Sequence, residues 1–373
     1  MQPLMDFYAV SPSPLSKACR VLRKQWQQLI TFNSSDRRWQ LPFTAALAAG
    51  LPMLIAAISG HIQFGMAASL GGMVFLHISK TPLSHRMIRL MACAFGMIAC
   101  YAVGALCQFV PWSIIPVITF TAIGVTMIVR YYDMGPPGSL FFIMAVSIGA
   151  YTYTPIERLP MMVGLISLGG ILAVFLAFIY SLYILRIEPA PPVANQPPLA
   201  YSYVIYDSVI IGGCVGASLL LAHVLQMERA YWVPISCVAV IQGASLQAVW
   251  SRQLQRVLGT TLGIWLAFAL LSLPLNPVSI AFLVMLLTFL VEMLVVRHYG
   301  IAALFFTPLT LLLAEAATLS VGGDSSAIAE ARFYDTLLGC AIGLLGGVLI
   351  YNQRCRYYLM PKLRRLIPAR FMV

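Results

Sequence analysis

Charge is what this sequence lacks. Only 9% of its 373 residues are Asp, Glu, Lys or Arg, and just 12 are acidic; soluble domains carry about 25% charged residues. Histidine is as sparse. His61, His77, His85, His223 and His298 are dispersed, with no H-x-x-x-H pair, and the eight cysteines contain no Cys-x-x-Cys spacing. Neither a zinc site nor a disulfide framework is therefore expected. Cys93, Cys100 and Cys107 recur every seven residues and read as small buried packing residues. A G-x-x-x-x-G-K-[ST] loop is missing, so the chain is not expected to hydrolyse ATP itself. No nucleophile–base constellation stands out. A transporter rather than an enzyme is expected, with no cofactor.

What is there is apolar: 60% hydrophobic residues and a mean hydropathy of +0.87. A water-soluble fold of this length could not hide so much apolar surface, so lipid must be its solvent. Disorder, a secreted disulfide scaffold and a cytosolic enzyme with a small anchor are excluded, because the apolar runs extend nearly end to end. Runs long enough to cross ~30 Å of hydrocarbon as helices fall near 41–59, 62–79, 87–109, 112–129, 138–154, 160–185, 202–224, 230–246, 254–273, 277–296, 301–321 and 332–351. The second, fifth and eighth are short or interrupted by polar residues. The fold class is thus an all-α polytopic membrane protein of about twelve spans.

An even span count puts both termini on one side. With that side cytoplasmic, 20 of the 23 basic residues lie inside, as the positive-inside rule requires. Arg158, Arg229 and Arg332 fall outside, each with a glutamate within two positions. The net charge of +11 is therefore topological, with some affinity for anionic lipid; nucleic acid is not an expected partner. Leu15, Cys19, Leu22, Trp26 and Leu29 share one helical face after Ser13-Pro14, which predicts an interfacial helix on the cytoplasmic leaflet. Residues 1–12 lack the charged-then-apolar pattern of a cleavable signal peptide.

Five prolines between Glu188 and Ala200 mark a semi-rigid linker. The expected organisation is a basic interfacial segment at 1–36, a six-helix half at 37–186, the linker at 187–200, a second half at 201–352 and a basic tail at 353–373. A shift of 167 residues aligns Ser69 with Ser236, Ser84 with Ser251, Arg89 with Arg256, Gly96 with Gly263, Arg130 with Arg297 and Tyr132 with Tyr299. A shift of 174 matches Arg158 and Gly169 with Arg332 and Gly343. The run in order predicts two parallel repeats, an arrangement that in transporters places the substrate near mid-membrane. Gly212/Gly216, Gly259/Gly263, Gly339/Gly343 and Gly343/Gly347 are spaced four apart, the spacing that lets helices approach closely in lipid.

The second half carries Tyr231-Trp232-Val233-Pro234, Gln242, Arg252, Arg256-Val-Leu-Gly259-Thr260-Thr-Leu-Gly263, Arg297-His-Tyr299-Gly300, Phe305-Phe306-Thr307-Pro308-Leu309 and Arg332-Phe-Tyr-Asp335-Thr336-Leu-Leu-Gly339. This order resembles the fusaric-acid-resistance (FUSC) family of bacterial inner-membrane proteins, which includes aromatic carboxylic acid exporters. More distantly it is similar to plant aluminium-activated malate channels. The resemblance covers about 201–352; in the first half Phe64-Gly65 stands where Tyr-Trp would be. Long members of the family carry large cytoplasmic domains, where this chain has the short linker and tail. The resemblance implies proton-motive-force-driven efflux of organic, often aromatic, anions.

Four carboxylates lie inside predicted spans: Asp207, Glu292, Glu315 and Asp335. A charge in hydrocarbon costs at least ~2.5–3.5 kcal/mol, so each is a proton-coupling candidate. Asp207, Glu292 and Asp335 sit close enough to helix ends to reach the interface, and Arg332 three residues before Asp335 has ion-pair spacing. Structural pairing is the simpler expectation for these three. Glu315 lies deeper, about 20 Å from the cytoplasmic edge, on a face with Leu304, Thr307, Leu311 and Thr318. Pro308 frees the carbonyl near Leu304 on that span, which suits a ligand or proton site; a glutamate bonded permanently to a neighbouring helix is the alternative. Arg130 and Arg297 are candidates for the inner mouth, with topology signalling as the simpler alternative. Thr307 and Thr310 could bond a carboxylate, Arg332 could hold one, and Phe305, Phe306 and Trp232 could stack on an aromatic ring. The expected partners are a small organic anion, anionic lipid, and either a second copy of the chain or a periplasmic adaptor. A passive organic-anion channel and a non-transporting scaffold or assembly factor are the rival functions.

Overall fold

The computed structural model describes residues 31–193, 201–319 and 325–366, the side chains at 314–319, 325–326 and 363–366 excepted. The interfacial helix expected around Leu15–Leu29 lies outside the described residues, as do part of the linker and the end of the tail. Every regular element among the described residues is helical. In chain order these are α1 (Gln40–Ile58), α2 (Ile62–Gly72, with a 3-10 turn to His77), α3 (Leu83–Cys107), α4 (Ile114–Tyr131), α5 (Leu140–Tyr151) and α6 (Leu159–Ile187). After the linker come α7 (Tyr201–Val224), α8 (Trp232–Ile241), α9 (Leu246–Leu271), α10 (Pro277–Leu294), α11 (Tyr299–Leu319), α12 (Ser325–Tyr351) and α13 (Gln353–Leu366).

Among the described residues eight helices are long and apolar enough to cross a membrane. Three of the expected spans are instead shorter apolar stretches, α2 with its 3-10 turn, α5 and α8, while α11 runs 21 residues. At 1.5 Å per residue, α8 covers about 15 Å, half the hydrocarbon thickness. All ten of its residues are buried. A helix break at membrane depth is tolerated only inside protein, and the groups beyond α8 are indeed taken up. Gln242 meets Ser139 at the start of α5 at 3.2 Å, and the Tyr351 hydroxyl of α12 donates to the Gly243 carbonyl. The basic tail expected at 353–373 contains the helix α13.

The helix pairings recur six elements on. In the first block α3 packs on α5 and α6, and α2 on α6; in the second α9 packs on α11 and α12, and α8 on α12. Across the blocks α1 packs on α10 as α4 does on α7, and α2 touches α11 as α5 touches α8. Outward faces are apolar, with Ile88, Met91 and Phe95 exposed on α3 and Leu258, Leu262 and Trp265 on α9. Such a surface suits contact with lipid.

Two prolines interrupt long helices, and a glycine answers each. Pro308 leaves the Leu304 carbonyl of α11 without its helical donor, and Gly263 of α9 lies directly against that oxygen. Pro52 does the same to Ala48 in α1, and Gly72 of α2 covers it. The opening expected to suit a ligand at Leu304 is therefore filled by a neighbouring backbone. A Cβ at either glycine would collide with main chain, which cannot yield as a flexible side chain would. Gly263→Ala and Gly72→Ala should each destabilise the protein by about 1–3 kcal/mol, read as a lowered unfolding temperature in detergent. Gly124→Ala, where no atom lies near, should leave that temperature close to native.

Candidate functional site

One end of the helix assembly is basic, and its cations are largely committed. Arg130, at the last turn of α4, pairs with Asp207 of α7 at 2.8 Å. Arg356 of α13 takes the other Asp207 oxygen at 3.0 Å while stacking over Tyr203 and Tyr206. At the corresponding α1–α10 contact, Arg37 pairs with Glu292 at 2.7 Å and also donates to the Glu292 carbonyl at 3.1 Å. Asp207 and Glu292 thus sit in inter-block ion pairs, and Arg130 has a carboxylate already. Arg297 is half-buried at the α10–α11 turn, where its carbonyl accepts from the Asn33 amide at 2.9 Å. Removing the acid of a buried pair strands its cations, at about 3–5 kcal/mol for full burial. The partly exposed arginines reduce that. Asp207→Asn should therefore cost about 2 kcal/mol in a chemical unfolding curve, and Arg356→Ala, which leaves Arg130 in place, about half as much.

A second group lies within the helices. Arg332 and Asp335 of α12 are 2% and 0% exposed, and Arg256 of α9 is 6% exposed. The spacing of Arg332 and Asp335 pointed to an ion pair between them. The structure corrects this: among the described residues no ion pair forms, and both Asp335 carboxyl oxygens lack a hydrogen-bond partner. The Arg332 guanidinium instead lies 3.8 Å over the Trp232 ring. A flat, weakly hydrated guanidinium gains more from an indole face in a dry interior than an ammonium would. Arg332 stays within electrostatic range of both Asp335 and Arg256. Arg256 donates to the Tyr299 hydroxyl at 3.4 Å and sits 5.8 Å from the Phe306 ring. Nitrogens of both arginines, Nε of Arg256 and Nε and Nη1 of Arg332, are buried without partners.

Trp232, Arg332 and Asp335 are thus brought together as binding and proton-coupling candidates. Thr307 and Thr310 turn their hydroxyls back onto Ala303 and Thr307 carbonyls of their own helix, so neither offers a free donor. Phe305 packs in an apolar cluster with α1 and α10. Glu315 falls on α11, but its side chain lies outside the described residues. Arg256 and Tyr299 were missed as site residues, because a basic residue near a span's end reads as topology. The signal available was Arg256 at a helical spacing from Gly259 and Gly263, on a face that must be buried.

Residues 216–346 match the family described as "Fusaric acid resistance protein-like". Two curated proteins are similar over part of the chain. The "Uncharacterized membrane protein YvaC" of Bacillus subtilis is 34% identical over 152 residues, 41% of this chain and 24% of that protein. The "Uncharacterized protein slr1298" of Synechocystis sp. is 31% identical over 134 residues, 36% of this chain and 17% of that protein. The chain therefore spans a quarter or less of the length of these relatives. No solved structure matches it. Residues 216–346 of this multi-pass membrane protein are thus similar to the fusaric acid resistance protein-like family.

Proposed function

We propose that the chain is a bacterial inner-membrane exporter of organic anions, aromatic carboxylates foremost, driven by the proton-motive force. The carrying observation is the pair Arg256 and Arg332, two buried guanidinium groups from different helices with donors that no group among the described residues takes up. Trp232 and Phe306 lie beside them. An aromatic carboxylate supplies oxygens for the free N–H groups and a ring for the aromatic faces. Among the described residues Arg256 and Arg332 outnumber the Asp335 carboxylate, on which Arg229 also acts, so the described charge is positive on balance and favours an anion. The cargo's own charge also couples it to the membrane potential, by about 2.3 kcal/mol per 100 mV for outward movement.

Asp335 and the anion share the same cations, so neutralising Asp335 strengthens the hold on the cargo. Glu315, on α11, is the candidate for a transported proton. The recurrence of helix pairings six elements on supports two parallel six-helix halves. The arginine group is lined by α8 and α11, the two helices that touch α5 and α2 across the halves, which puts it where relative movement of the halves would be felt.

Purified protein in liposomes, with pH gradient and membrane potential imposed separately, tests this. Benzoate uptake should fall about 30-fold or more in Arg332→Gln and in Arg256→Gln, the effect of losing ~2 kcal/mol of charged contact. Asp335→Asn should bind benzoate more tightly. Uptake unimpaired in both arginine variants would sink the site. A benzoate current that follows voltage with no pH gradient, unchanged in Glu315→Gln, would identify a channel. Absence of benzoate movement in the native protein would remove this substrate class and favour a scaffold.

A further inference from the structure

A cavity of about 160 Å³ opens at the basic end of the first half, between the chain preceding α1, the 78–82 link and the end of α6. Four cations line it, Arg37, Arg38, Lys80 and Arg86, against the two acids Asp36 and Glu188. Two of the cations are engaged: Arg37 with Glu292, and Arg38 with Glu188 at 3.5 Å. Lys80 and Arg86 have no carboxylate partner among the described residues.

Arg86 is the unusual member. It is 5% exposed, and its one hydrogen bond is to the neutral Ser181 hydroxyl at 3.1 Å, with its Nε buried and unpartnered. A guanidinium has five N–H donors, and one desolvated with a single neutral partner calls for an anion. Arg86 also stands in the first turn of α3, which starts after Pro82 with no acidic residue. The free N–H groups and positive dipole end there disfavour a cation unless a negative group offsets both. At the 167-residue shift the counterparts of Lys80 and Arg86 are Gln247 and Gln253, so this charge belongs to the first half alone.

We propose that this cavity is an oxyanion site, separate from the interior arginine pair. It takes one phosphate or carboxylate group between Arg86 and Lys80, with the ligand's apolar body against Leu41, Tyr180 and Ile184. A phospholipid headgroup and a free organic anion from the aqueous phase share that chemistry.

The full chain in neutral detergent, at constant ionic strength, is followed by unfolding temperature against benzoate and against inorganic phosphate. In parallel, nanodiscs of phosphatidylglycerol are compared with phosphatidylcholine. A saturable rise with at least one of these anions is expected. It should need at least tenfold more ligand in Lys80→Gln, vanish in Arg86→Gln, and persist in Arg332→Gln. Stabilisation by phosphatidylglycerol that the soluble anions do not reproduce identifies lipid; stabilisation by benzoate or phosphate identifies the aqueous source. No saturable shift with any anion overturns the proposal. So does a shift that survives both Lys80→Gln and Arg86→Gln, or one lost only in Arg332→Gln.

Discussion

A backbone polar group in hydrocarbon has to find its partner within the protein, and the architecture turns on that requirement. Helix α8 spans about half the hydrocarbon and then stops; α2 hands over to a 3-10 turn. Such endings are stable only when surrounded. The long helices supply the enclosure: α12 and α7 around α8, and α1 and α6 around α2. Beyond α8 the Tyr351 hydroxyl satisfies the Gly243 carbonyl, and the Gln242 side chain bonds that of Ser139. The same requirement explains the glycines at Gly72 and Gly263, each pressed on a carbonyl that a proline has deprived of its donor.

Much of this was legible in the chain. Apolar run lengths located the helices, and even marked the second, fifth and eighth as short, because a ten- or twelve-residue apolar stretch is visible as such. What periodicity could not reveal is which face of a helix meets which neighbour. Pro308 announced a free carbonyl at Leu304, yet only the packing of α9 shows that Gly263 rather than a ligand meets it. Likewise, Arg332 and Asp335 are three apart, and local spacing favours a pair. A tertiary contact with Trp232, a hundred residues earlier, draws the guanidinium elsewhere. The candidate site was legible in its residue types and misleading in its pairings, since buried arginines choose partners by what the fold places beside them.

The two blocks share their packing and differ in their chemistry. Arg256 and Arg332 have Arg89 and Arg158 at the corresponding shifts, but Trp232 and Asp335 have Gly65 and Met161, while Lys80 and Arg86 face Gln247 and Gln253. Packing positions constrain one another through contact, so a change in one asks for a change in its neighbour. A polar side chain aimed into a cavity is freer of that constraint. Divergence concentrated in such positions lets one scaffold set an indole and a carboxylate beside buried arginines in one half, and Arg86 without a described carboxylate partner in the other.

Arg356 brings the last described helix into contact with Asp207, which also holds Arg130. One carboxylate therefore joins α13, α7 and α4, elements drawn from both blocks and from the tail. A three-way joint of this kind transmits force: pulling α13 away removes a cation from the same acid that ties the blocks together. The chain's carboxyl-terminal end is thereby a handle on the interior, and whatever tethers it, whether a following domain or a solid support, will load the joint between the two blocks.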